Sequence, residues 1–147
     1  MPSAGNPTKK TSSAKPRGAS EIAPGVYVGG WTDALQFAGA RFCVLDDAPV
    51  EMPRAAHVQI YSEKVDRAGR SALDDLAESI RKARERGKPV LVFCGHGVRR
   101  SPLAGAWYLR RATGNSLDAA YDRIRSVRPK IEHAREWVGN AGELAKA

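Results

Sequence analysis

The stretch VLVFCGHGVRRSP, residues 90 to 102, decides the fold. With Pro89 before it, the run PVLVF at 89–93 has strand length and the β-branched and aromatic content of a buried strand. Gly95 and Gly97 follow, and these let the backbone turn tightly around a ligand. Pro102 then opens PLAGAWYLRRATG, in a first-turn position where a missing N–H costs nothing. Basic residues and Gly114 close that segment, as a helix C-terminus prefers. A strand, a glycine-containing loop and a helix are therefore expected in direct succession.

Outward from this stretch, GVYVGG at 25–30, RFCVLD at 41–46 and HVQIY at 57–61 have the same strand character. Between the last of these and PVLVF lies SALDDLAESIRKARERGKP, in which Leu73, Leu76, Ala77, Ile80 and Ala83 follow helical spacing. Ser71 is expected to cap this helix, Asp74 and Asp75 to complement its dipole in the first turn, and Gly87 with Pro89 to stop it. Downstream, Leu117, Ala120, Tyr121 and Ile124 share one helical face, and a last amphipathic stretch carries Ile131, Trp137, Val138 and Leu144. Strands come early and helices late, with one strand-helix-strand unit between them. The expected class is α/β: a central, mostly parallel twisted sheet of four to five strands flanked by helices, in a single domain.

The 147 residues suffice for one domain with a substantial core. Residues 1–20 are rich in Pro, Gly, Ser, Thr, Ala and Lys and are read as a flexible basic tail, with the domain occupying 21–147. Half of the formal net charge of +8 belongs to that tail, through Lys9, Lys10, Lys15 and Arg17. The remaining domain is mildly basic, which suits solubility and also anionic partners such as phosphoesters, with nucleic acid an open alternative. No run approaches the roughly 18 apolar residues of a membrane span, and MPSAGNPTKK lacks the apolar core of a secretory signal, so a cytoplasmic monomer is expected. Cys43 and Cys94 are expected to be reduced thiols, since a core of this size needs no disulfide.

Within the opening stretch, Cys94 and Arg100 are separated by five residues, GHGVR, and Ser101 follows immediately. A loop between a strand and a helix whose backbone N–H groups converge at the positive helix end is an anion cradle, suited to a phosphate-sized dianion. The same donors favour a thiolate. Holding a cysteine as thiolate a thousandfold better than water does takes about 4 kcal/mol. A helix terminus supplies at most ~2 kcal/mol, so loop amides, the Arg100 charge and the Ser101 hydroxyl must add the rest. Arg100 offers a planar fork that holds two phosphoryl oxygens, a role lysine fills poorly. The plainer alternative is a buried core thiol beside arginines on a solvated face; Arg and Ser at these offsets argue against it. Gly95, His96, Gly97, Val98 and Arg99 are the candidate substrate-binding residues of the loop, with His96 and Arg99 at its rim. No histidine among 57, 96 and 133 has zinc-type spacing with a cysteine, and no metal or other cofactor is expected.

Cys94, Gly97, Arg100 and Ser101 stand in the register of Cys-x2-Gly-x2-Arg-Ser, and here the sequence resembles the dual-specificity branch of the cysteine-dependent protein tyrosine phosphatase superfamily. IAPGVYVGGWTDA at 22–34 is similar to the opening strand of such domains, and RIRSVRPKI at 123–131 to the stretch before their last helix. The resemblance implies a metal-independent phosphatase acting on phosphorylated proteins, at phosphotyrosine and also phosphoserine or phosphothreonine. Cys94 would be the nucleophile, Arg100 the substrate and transition-state clamp, and Ser101 the group that helps the thiolate leave. The acid would be an aspartate on a loop about 30 residues before the cysteine, a place best filled by Asp66, with Glu63 its competitor. Phe93 stands where the family usually has histidine and Ala134 where many relatives have asparagine; a phenyl ring makes no hydrogen bond to the loop, and slower turnover follows. Alternatives are a relative acting on RNA 5′-phosphates or inositol phosphates, a rhodanese-like sulfurtransferase, and a phosphate-binding module without turnover. Cys43 is read as a core thiol rather than a redox partner of Cys94.

Overall fold

The computed structural model describes residues 18–44, 56–57 and 67–132. Five strands form one sheet: β1 (Ser20–Ala23), β2 (Val26–Gly29), β3 (Ala40–Cys43), β4 (Ala56–His57) and β5 (Val90–Phe93). The spatial order is β1-β2-β5-β3-β4. Among the described strands β1 alone runs antiparallel, joined to β2 by a tight turn in which Gly25 takes φ +75°; β2, β5, β3 and β4 are parallel to one another. A mostly parallel sheet of four to five strands is what the sequence implies, and the strand-helix-strand unit through α2 supplies its parallel crossover.

Strand β5 is central, and its four side chains are fully buried because the sheet is covered on both faces. Alternation along the pleat divides the core in two. Val26, Val28, Val90 and Val92 point toward helices α2 (Arg67–Glu85), α3 (Arg100–Thr113) and α4 (Leu117–Val127), joining Leu73, Ile80, Leu103, Trp107, Tyr121 and Ile124. Tyr27, Leu91, Phe93 and Cys43 face the other way, against Ala34 of helix α1 (Trp31–Gln36) and Phe37 just beyond it. Each fully buried Val, Leu or Phe stabilises the fold by roughly 1.5–3 kcal/mol relative to exposure, so β5 is the strand whose loss the domain tolerates least.

Three helical segments occur where spacing places them. Helix α3 carries Pro102 in its first turn and ends at Gly114, in the left-handed region at φ +79°, whose N–H returns to Arg110 C=O at 2.9 Å. Helix α4 is capped by Ser116, whose side chain accepts the Ala119 N–H at 3.1 Å. Helix α2 differs at its start. It begins at Arg67, so Ser71 lies inside it rather than at its cap, and Asp74 and Asp75 fall beyond the first turn. The apolar spacing starts only at Leu73, which hid the preceding turn and a half. Asp74 is used across helices instead, accepting Trp107 Nε1–H at 2.7 Å and Arg111 at 3.3 Å.

Strand β1 and helix α1 are additions to the sequence reading. Six residues of α1 give too short a window for a period, and its start is set by Asp33, whose buried carboxylate accepts the Gly30 N–H at 2.9 Å. Strand β3 matches RFCVLD at its first residues and β4 matches the start of HVQIY. The remainder of HVQIY, Asp66, Glu63, Ala134 and the stretch with Trp137, Val138 and Leu144 lie outside the described residues, while Ile131 is buried in the main core.

Candidate active site

The carboxyl ends of the parallel strands meet at one point. Phe93 pairs in register with Gly29 of β2 and Cys43 of β3, and beyond it the backbone is held on both sides: Cys94 N–H donates to Gly29 C=O at 3.3 Å and Val44 N–H to Phe93 C=O at 2.9 Å. In parallel α/β sheets this edge is where ligands bind. Residues 94–99 form the loop that crosses it, and Trp31 N–H donates to Gly95 C=O at 3.0 Å, fastening the loop to the start of α1.

The glycines of this region have distinct reasons. Gly97 has φ +71°, and a Cβ there would lie 2.7 Å from the Gly29 carbonyl carbon and 2.5 Å from Arg128 Nη2. Gly30 admits Gly95 C=O so closely that a Cβ would stand 2.9 Å from it. Gly95 itself has ordinary φ and open space where a Cβ would go, so its backbone does not require glycine, unlike Gly97.

Cys94 and Ser101 sit together at the N-terminus of α3. The Ser101 N–H donates to Cys94 Sγ at 3.4 Å, the Cys94 thiol donates to Ser101 Oγ at 3.4 Å, and Ser101 Oγ–H donates to Gly29 C=O at 3.1 Å. Ser101 is wholly buried and Cys94 nearly so. The sulfur therefore already receives one of the amide donors of a helix N-terminus, where negative charge is favoured. It opens on a cavity of about 340 Å³ lined by Cys94, Gly95, His96, Val98, Arg99, Arg100 and Glu132. Of the residues singled out from the sequence, Gly97 lies behind the cavity wall and Ser101 beneath the sulfur; Asp66 is outside the described residues.

Two residues at this site escaped sequence reasoning. Arg128, directly after α4, donates from Nε to Gly97 C=O at 2.8 Å and from Nη2 to His96 C=O at 3.4 Å, and reaches Gly18 C=O and, at 3.1 Å, Ser20 Oγ with Nη1. It thus fixes the orientation of two successive loop carbonyls, and with them the peptide planes of the loop. Glu132 donates its N–H to Val98 C=O at 2.9 Å and places its carboxylate 3.1 Å from Arg99 Nε. The only hint in the sequence was the basic run RIRSVRPKI, which does not tell Arg128 from Arg123 or Arg125. Phe93, by contrast, is fully buried edge-on to Trp31 with ring centroids 6.0 Å apart, a packing residue of the α1 face.

A family described as the dual specificity phosphatase catalytic domain matches residues 48–142. Mouse dual specificity phosphatase 28 is 30% identical over 132 residues, covering 83% of this chain and 80% of its own. Mouse dual specificity protein phosphatase 12 is 29% identical over 133 residues, 81% of this chain and 39% of the relative. Among solved structures, human DUSP28 superposes with TM-score 0.69 at 23% identity, covering 90% of this chain and 97% of that one. The human tyrosine phosphatase-like serine/threonine/tyrosine-interacting protein gives 0.70 at 18%, over 86% and 95%, a likeness of fold. With the Cys94 loop, the sheet order and these matches in agreement, the chain belongs to the dual-specificity phosphatase family of the protein tyrosine phosphatase superfamily.

Proposed function

We propose that this chain hydrolyses phosphate monoesters of proteins, phosphotyrosine first and phosphoserine or phosphothreonine also, without a metal and through a phosphocysteine. The observation that carries the reading is the position of Cys94 Sγ, which takes the Ser101 N–H at the N-terminus of α3 and opens on a cavity that Arg100 also lines. In the first step the thiolate attacks phosphorus, forming the S–P bond as the P–O bond to the leaving group breaks, and Asp66 gives its proton to the departing oxygen. Arg100 binds two of the phosphoryl oxygens. In the second, water attacks phosphorus, Asp66 takes its proton, and the S–P bond breaks to return the thiolate, steadied by the Ser101 hydroxyl. In this reading the catalytic domain takes in Gly18 and Ser20, held by Arg128 and, for Ser20, paired in β1, so it begins a few residues before the 21 expected from composition; the residues ahead of it are a basic appendage, in a cytoplasmic monomer.

A second reading, a phosphate-binding module without turnover, draws on Phe93, which packs against Trp31 and has no group to hydrogen-bond the loop. Hydrolysis of a small aryl phosphate in EDTA separates the two. Turnover is expected in the wild type, none above background in Cys94→Ser or Arg100→Ala, and a loss of about a hundredfold or more in Asp66→Ala. Wild-type turnover equal to that of Cys94→Ser sinks the enzymatic reading, and Asp66→Ala at the wild-type rate would move the acid elsewhere.

A further inference from the structure

The rim of the cavity carries a carboxylate. Glu132 is held beside the loop by its backbone, through the N–H bond to Val98 C=O at 2.9 Å, so its position does not depend on its side chain. Its Oε1 lies 3.1 Å from Arg99 Nε, and both residues line the same cavity as Cys94 and Arg100. A negative group at the mouth of a pocket for a dianion is unfavourable unless a cation offsets it. Arg99 does so here, and the pair together adds no net charge to the rim.

We propose that Glu132 is a specificity-determining residue: by engaging Arg99 it occupies the place of a second anionic group on the substrate and selects isolated phosphate monoesters over phosphopeptides with an adjacent second phosphate. The inference rests on the phosphatase reading above. An isolated monoester reaches Cys94 and Arg100 and leaves the pair intact. A substrate with a neighbouring phosphate meets an Arg99 whose Nε is already engaged, and sets that phosphate beside the Glu132 carboxylate as a like charge. Both side chains are about half exposed, 47% for Arg99 and 61% for Glu132. Exposed pairs of this kind are weak and screened by salt, so the selectivity is modest, acts on KM rather than on the chemical step, and fades as salt rises.

The test uses two synthetic phosphotyrosyl peptides of one sequence, with the neighbouring threonine unmodified in one and phosphorylated in the other. In the full chain, Glu132→Gln is expected to raise kcat/KM for the doubly phosphorylated peptide about twofold to fivefold relative to the singly phosphorylated one. The gain should come through KM, shrink at high salt, and vanish when Arg99→Ala is added. A Glu132→Gln change equal for both peptides, or a gain that survives Arg99→Ala, overturns the proposal. The substitution keeps the backbone bond to Val98, and thermal melting checks that the variant is folded. Failure of the phosphatase reading shows separately, as wild-type turnover of the singly phosphorylated peptide no faster than that of Cys94→Ser. The Kd values of the two peptides for Cys94→Ser, with and without Glu132→Gln, read the same selectivity without turnover.

Discussion

Ser101 gives its hydroxyl hydrogen to Gly29 C=O at 3.1 Å while its oxygen receives the Cys94 thiol, an arrangement suited to a neutral sulfur. When the sulfur is a thiolate, or becomes one as the S–P bond breaks, the same hydrogen gains by turning to Sγ, 3.4 Å away, because bonds to charged acceptors are about twice as strong as neutral ones. Ser101→Ala is therefore expected to slow breakdown of the phosphoenzyme more than its formation. Stopped-flow release of the aryl leaving group should show a burst followed by a slow phase; a uniform loss without a burst would mean that Ser101 only packs. Arg128 acts one step further out, through the loop carbonyls of Gly97 and His96. Arg128→Met should lower kcat/KM on the order of tenfold to a hundredfold, with Arg128→Lys recovering only part because an ammonium lacks the planar fork. An Arg128→Met enzyme at the wild-type rate would refute this positioning role. That Cys94, Arg100 and Ser101 meet at one loop and helix start could be read from the sequence because a fixed local spacing sets it. Arg128 and Glu132 could not, since Arg128 lies 31 positions from Gly97 and both residues follow α3 and α4 in the chain.

At the level of the elements, the α2–α3 contact contains both a satisfied and an unsatisfied polar group. Trp107 Nε1–H is paired with Asp74 at 2.7 Å, whereas Arg110, only 4% exposed, stacks 4.3 Å over the Trp107 ring, its Nε and Nη2 lacking hydrogen-bond partners among the described residues. Burial pushes the Arg110 guanidinium below its ordinary range, with Asp74 opposing the shift. Stacking on Trp contributes roughly 0.5–2 kcal/mol, less than the cost of about 1–3 kcal/mol for each buried donor left unmade. Arg110→Met, similar in length and apolar, is accordingly expected to raise stability by about 1 kcal/mol in urea melts. Asp74→Ala should lower it by about 1–2 kcal/mol, through loss of the partner of a buried indole. A destabilised Arg110→Met would show that the stack outweighs the missing bonds. Sequence spacing placed α3 well because Pro102 and Gly114 mark its two ends, and α4 because Leu117, Ala120, Tyr121 and Ile124 form one regular buried face. It misplaced the start of α2, where the first turn carries no apolar residue of the periodic set, and it passed over α1, whose cap comes from Asp33 inside the helix.

Across the whole molecule, the site exists because β2, β5 and β3 run parallel and end together, bringing Gly29, Cys94 and Val44 to one edge. The alternation of short apolar runs with amphipathic helices made a mostly parallel sheet readable. The order β2-β5-β3, which puts the cysteine strand at the centre, was not, because nothing local in a strand names its neighbour. That central place sets Phe93 in the α1 face beneath the loop, buried with Leu91 and Cys43 and edge-on to Trp31. It also makes the covalent step testable without knowledge of the physiological substrate. The most direct measurement is mass spectrometry of the Asp66→Ala protein, acid-quenched during turnover of an aryl phosphate. The phosphocysteine account predicts one added phosphoryl group on the peptide containing Cys94, absent in Cys94→Ser; continuing turnover with no phosphoryl group on Cys94 would contradict it.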